Sequence, residues 1–101
     1  MQYLLIAYDG TDEQALERRM RVREDHIRLG DVMVAQGRML FGTAILDDAD
    51  RMIGSMLVLD FPSREELDAW LRVEPYVTGG VWERIDVQPC RVGPSFLAQR
   101  P

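Results

Sequence analysis

The chain has 101 residues, 47% of them apolar and 29% charged, with a formal net charge of −5. That composition describes one ordinary globular domain with a modest core. Its cationic side chains are all arginine and form no basic block, so the electrostatic footprint for phosphate backbones is missing and nucleic acid is not an expected partner. The longest apolar stretches, residues 3–8 and 56–59, are too short to span a bilayer, so no membrane partner is expected either. Nothing at the N-terminus reads as a signal peptide, and a lone cysteine, Cys90, cannot close an internal disulfide. A reducing cytoplasm is the expected location.

Residues 2–8 are apolar and large, and stop at Asp9-Gly10, which predicts a buried strand closed by a turn. Thr11 with Gln14 has the spacing of a capping box and predicts a long helix to about residue 36, ended by Gly37. On that helix Leu16, Met20, Ile27 and Val34 form one row, and Val22, Leu29 and Met33 the adjacent one, together predicting one broad buried face. Gly30-Asp31 marks a kink or a close packing contact.

Residues 38–46 and 52–61 read as the second and third strands, joined by a hairpin loop at 47–51. The aspartates of that loop lack EF-hand spacing and a closing glutamate, so a solvated turn is expected rather than a metal site. Ser63 and Glu66 form a second capping box, opening a helix that buries Leu67, Trp70 and Leu71 and stops before Pro75. Residues 76–80 read as a loop with two glycines, suited to an unusual backbone path or a ligand approach. Residues 81–90 form the fourth strand, edged by Pro89. The tail, 91–101, carries Val92, Phe96 and Leu97 and is expected to dock on a partner subunit or across the sheet.

Strand, helix, strand, strand, helix, strand is the split βαβ order. The expected fold class is therefore α+β, a ferredoxin-like four-stranded antiparallel sheet with both helices on one face, in a single domain over 1–101. Strand three carries apolar side chains on both faces, Ser55, Leu57, Leu59 and Phe61 against Gly54, Met56, Val58 and Asp60. The face without helices needs its own cover, and a second copy of the chain supplies it most simply, so a homodimer is expected.

The catalytic inventory is thin. The absence of lysine excludes Schiff-base chemistry, and Cys90 has no second histidine to activate it, so a small core or edge residue is its expected role. His26 is the only histidine, and acid/base chemistry near neutral pH would fall to it. By position alone it shares a row with Val22, Leu29 and Met33, which favours a core imidazole bonded to a backbone carbonyl.

Several segments in order carry a resemblance. They are Leu16-Glu17-Arg18-Arg19-Met20-Arg21-Val22-Arg23 leading to His26, Gln36-Gly37-Arg38-Met39-Leu40-Phe41-Gly42, the Gly54-Ser55 strand, Phe61-Pro62-Ser63-Arg64-Glu65-Glu66, and Glu74-Pro75-Tyr76-Val77-Thr78-Gly79-Gly80-Val81-Trp82-Glu83. Together they resemble the YciI-like (YCII-related) family of the dimeric α+β barrel superfamily, over about the first ninety residues. The resemblance implies a dimer with a small cleft per subunit and a histidine–aspartate site, which falls here on His26 and Glu74. Glutamate thus stands where the family usually has aspartate. One branch of the family resembles a dehydrochlorinase acting on a chlorinated hydroxyquinol, and muconolactone isomerases share the wider fold, an analogy that says little about substrate.

A histidine–carboxylate pair implies cofactor-free proton transfer, of lyase or isomerase type, with no metal. Arg23, one turn before His26, is the candidate anchor for an anionic substrate, with Arg19 a second. Tyr76 and the Gly79-Gly80 backbone are candidates to line the cleft. The alternatives are an ion pair of Arg23 with Glu17 or Asp12, a helix-capping Glu74, and core or interface roles for Tyr76 and Trp82. At the level of function, the alternative to an enzyme is a non-catalytic dimeric module that binds a small anionic or aromatic metabolite.

Overall fold

The computed structural model describes residues 1–97. Its elements are β1 (Gln2–Asp9), α1 (Ala15–Ala35), β2 (Met39–Leu46), β3 (Met52–Asp60), α2 (Arg64–Leu71), α3 (Pro75–Thr78), β4 (Trp82–Cys90) and α4 (Pro94–Leu97). The four strands form one sheet in the order β2-β3-β1-β4, and every neighbouring pair is antiparallel. This is the ferredoxin-like topology expected from the element order, also that of a dimeric α+β barrel subunit. No helix among the described residues is long and apolar enough to cross a membrane.

The period-2 pattern of β1 sends Tyr3, Leu5, Ala7 and Asp9 to the helix-covered face, where all four are buried. Antiparallel register places Leu59, Leu57 and Ser55 of β3 opposite Tyr3, Leu5 and Ala7, and these are buried as well. Leu67 and Trp70 of α2 and Met33 of α1 close the core above them. Each such large side chain stabilises the fold by roughly 1.5–3 kcal/mol on burial. The opposite face has no helix. There Leu4, Ile6, Met56 and Val58 are half-buried, and Phe41 stands 58% exposed.

Three local expectations need correction. The Thr11–Gln14 capping box does not form: Gln14 is the N-cap and makes no side-chain cap bond. Asp12 accepts from the Gln14 backbone instead, at 3.3 Å, because a charged acceptor one residue further on is itself held by Arg18 at 2.7 Å. The broad apolar face of α1 is also only half used. Val22, Leu29 and Met33 pack on the core, while Leu16, Met20, Ile27 and Val34 are exposed. The helix is rolled so that Arg19 and His26 turn toward the sheet, which leaves the other apolar row outside. Finally, residues 75–78 are not loop but the short helix α3, with Pro75 at its start and the Glu74 carboxylate accepting from the Tyr76 backbone at 3.2 Å. Proline fits there because the first helical N–H has no partner to lose.

Other expectations hold. Gly37 follows the C-cap of α1 with φ +74°, and Ser63 accepts from the Glu66 backbone at 3.2 Å. Asp47 organises the β2–β3 turn by accepting from the backbones of Ala49 and Arg51 at 2.8 and 3.0 Å. The docking expected of the tail is not decided: the Val92 backbone donates to the Gln2 side chain at 2.7 Å, while Phe96 on α4 is exposed. The rest of the tail, 98–101, lies outside the described residues.

Candidate functional site

Arg19, Arg23, His26 and Gly30 succeed one another on α1 at spacings of four, three and four, which aligns them on one stripe of the helix. That stripe overlooks the inner faces of β2 and β3. The side chains of β2 are small there, Gly42 and Ala44, so the helix stands off the sheet and leaves an open cleft of about 340 Å³. Arg19, Arg23, His26, Gly30, Thr43, Ser55 and Tyr76 are among the residues that line it.

His26 and Glu74 meet through Nδ1 and Oε1. Glu74 is fully buried, and the same oxygen takes the Tyr76 backbone N–H. The longer glutamate side chain thus reaches the imidazole and caps α3 at once, so the helix-capping reading of Glu74 holds beside its contact with His26. A carboxylate only accepts, so Nδ1 is the donor of this bond, and in the neutral ring the lone pair would lie on Nε2. Nε2 bonds to no described residue and is not among the buried unpaired atoms, so it is the nitrogen that meets the cleft. Glu74 Oε2 is buried and has no partner among the described residues.

Two aromatic rings pack on the imidazole. Tyr76 stacks on His26 with centroids 3.8 Å apart and planes 12° from parallel, and Trp82 meets the imidazole edge-on at 6.1 Å. On its other flank Tyr76 meets Arg19, whose guanidinium lies 4.6 Å from the ring centroid. Arg19 and His26 are seven residues apart on one helix, about 10 Å along its axis, so the tyrosine is wedged between them. Burial pushes the Tyr76 phenol up, against the opposing pull of Arg19 and Arg23, so it remains protonated at neutral pH.

Arg19 is a structural ion. It is 3% exposed, donates to both Asp9 oxygens at 3.0 Å, and reaches Ser55 Oγ at 3.0 Å. Ser55 also accepts from the Trp82 indole at 3.2 Å. Burial pushes the Asp9 carboxyl up, and Arg19 partly offsets this. Arg23 is the opposite case. It lines the cleft but makes no ion pair among the described residues, since Asp12 pairs with Arg18 and Glu17 with Arg21. Gly79 lies outside the cleft. A Cβ there would come within 2.8 Å of the Pro75 carbonyl and 3.2 Å of Val22, so this glycine lets the end of α3 approach α1.

The structure therefore brings His26, Glu74, Arg23, Arg19 and Tyr76 together. It adds Asp9, Ser55, Gly42 and Ala44, which sequence reasoning did not assign to the site. Ser55 carried a signal, a hydroxyl in register with Leu57, Leu59 and Phe61 on the buried row. Asp9 carried none, because an aspartate before glycine reads as a turn.

Residues 1–91 match the YCII-related domain family. The chain belongs to that family. It is 33% identical to Protein YciI of Escherichia coli O6:H1, a match covering 88% of this chain and 95% of the relative. An uncharacterized protein of Haemophilus influenzae is 28% identical with the same coverage. Among solved structures, the chain resembles 5-chloro-2-hydroxyhydroquinone dehydrochlorinase from Burkholderia phenoliruptrix, in complex with 2,5-dihydroxybenzoquinone, with a TM-score of 0.81 and 20% identity over 94% of this chain and 98% of the other. It also resembles an antibiotic biosynthesis monooxygenase at a TM-score of 0.53 and 14% identity, over 93% of this chain and 100% of the other. At those identities the likeness is one of fold.

Proposed function

We propose that the cleft performs cofactor-free proton transfer on a small organic anion, in the manner of a lyase or isomerase. His26 Nε2 takes a proton from a carbon or hydroxyl next to a carbonyl and returns it elsewhere on the same molecule. In an elimination the freed electron pair instead expels a leaving group. Glu74 holds the imidazole in the required tautomer and stabilises the imidazolium that forms. Arg23 binds the anionic oxygens and, with the Tyr76 hydroxyl as donor, stabilises charge that develops as the proton leaves.

The observation that carries this reading is the imidazole itself, with Nδ1 engaged by a buried carboxylate and Nε2 left to a cleft lined by a guanidinium, Arg23, that has no ion-pair partner among the described residues. The dehydrochlorinase of like fold supports the choice of substrates to try first, hydroxylated quinones and chlorinated hydroxyquinols. The direct test follows chloride release and solvent-deuterium incorporation for such a panel in wild type and in His26→Ala. Turnover that survives the substitution refutes the mechanism.

We also infer that the chain works as a homodimer through the helix-free sheet face, since Phe41, Leu4, Ile6, Met56 and Val58 form a contiguous apolar surface there. Phe41→Glu is expected to halve the mass measured by light scattering, and an unchanged mass for both proteins sinks the idea.

A further inference from the structure

We propose that Gly30 is a specificity-determining residue of the cleft: it holds open the chamber that takes the apolar ring of an organic anion whose charged head lies at Arg23. The proposal rests on the reading of the cleft as a small-anion site, but concerns the body of the ligand rather than the proton transfer.

Gly30 lies inside the 21-residue helix α1, where glycine is the least favourable residue short of proline. Nothing in the packing asks for it. Of the eight glycines, every other one either has a positive φ or would bring a Cβ to 3.3 Å or less from a neighbouring atom. At Gly30 the nearest atom to an added Cβ is Met39 Sδ, at 3.8 Å. That is ordinary van der Waals contact with the end of a flexible side chain, and α1 runs through the position unbroken. An alanine Cβ would meet no steric obstacle here and would favour the helix. The space beside Gly30 is the cleft, so the demand for a bare backbone comes from whatever occupies it.

The surroundings give that occupant a shape and a polarity. Met39 Sδ also lies 3.9 Å from the Cβ position of Gly42 on the opposite wall, so one sulfur atom touches both walls of the chamber. Ile27 and Val34 give it an apolar rim. Asp31 also lines the cleft at this end and repels a second negative charge, so the ligand's far end is uncharged. Gly30 is four residues beyond His26 and seven beyond Arg23, about 6 Å and 10 Å along the helix axis. A ligand that spans this distance is longer than a two- or three-carbon acid. It matches a ring-bearing carboxylate or enolate, anionic at one end and apolar at the other.

The test compares a head-and-body probe, 2-naphthoate, with a head-only probe, acetate, by NMR titration of wild type, Gly30→Ala and Arg23→Gln. In Gly30→Ala, 2-naphthoate binding is expected to weaken tenfold or more and acetate binding to stay unchanged, while the melting temperature rises by about 5 °C from improved helix propensity. Arg23→Gln weakens both probes. The opposite signs of stability and affinity separate a ligand-facing glycine from a structural one. The proposal is overturned if Gly30→Ala binds 2-naphthoate within twofold of wild type, if its melting temperature falls, or if wild type does not saturate with 2-naphthoate. Binding that behaves as expected without turnover of any substrate overturns the proton-transfer reading and leaves this one standing.

Discussion

Arg19 and Arg23 are four residues apart on the same stripe of the same helix, yet the fold treats them in opposite ways. Arg19 is buried and saturates Asp9 and Ser55. Arg23 is half-buried at the cleft and has no ionic partner among the described residues. The difference is depth. An ion that far from water must be compensated, so the fold supplied a carboxylate on β1 and a hydroxyl on β3. An ion with water beside it carries no such requirement, and its donors stay open at the cleft. One arginine therefore ties α1 to the sheet, and the other has no ionic partner among the described residues.

The sharpest way to break this contrast is to remove each guanidinium in turn. Arg19→Ala leaves Asp9 buried without its counter-ion, and urea unfolding is expected to show a loss of about 3–5 kcal/mol. Replacing the pair together, Arg19→Met with Asp9→Asn, is expected to restore much of that loss. A single-variant loss under about 1 kcal/mol contradicts the buried-pair account. Next in size is the effect on chemistry. Glu74→Gln keeps the cap on α3 but no longer enforces the tautomer, so turnover of any substrate found is expected to fall at least about a hundredfold. A rate within a factor of three of wild type means Glu74 is only a cap.

Arg23→Gln carries the contrast to its other side. Unfolding free energy is expected to stay within about 0.5 kcal/mol of wild type, as for a surface change, while KM for an anionic substrate rises at least about tenfold. A large stability loss with unchanged KM reverses the assignment of the two arginines.

The smallest effects are those of pH. Burial raises the Asp9 carboxyl above its usual 3.8, against the pull of Arg19. The folded state therefore binds the proton more tightly than the unfolded chain does. The contribution of this one titration to stability is present below 3.8 and lost as pH rises through the folded-state value. Asp12 runs the other way. The Arg18 guanidinium holds its carboxyl down to about 2, so its contribution is present above 3.8 and lost as pH falls toward 2. Side-chain carboxyl NMR of Arg18→Gln should show Asp12 returning toward 3.8. A value that stays near 2 would assign the shift to the backbone of the turn instead.

The fold was legible because its determinants are local and periodic. Alternation in β1 and β3, the glycine after α1, the serine cap of α2 and the aspartates of the hairpin each act within a few residues, and each appears where the pattern puts it. The first cap departs from the local pattern because Asp12 competes with Thr11 through a partner, Arg18, six residues away. Residues 75–78 turn helical because Pro75 and the capping Glu74 carboxylate outweigh the two glycines that follow.

The candidate site divides along the same line. The sequence by itself determined that any acid/base chemistry near neutral pH would fall to His26, its one histidine, and the family resemblance pointed to Glu74 as its partner. Only the tertiary structure decided that a glutamate reaches the imidazole, that Arg19 is tied down while Arg23 is open, and that Gly79 packs while Gly30 faces the cleft. The physical reason is range. Backbone preferences are settled between near neighbours in the chain. Charge compensation and free volume depend on groups 36 or 48 residues apart, such as Arg19 with Ser55 and His26 with Glu74, and exist only once the helix has been laid across the sheet.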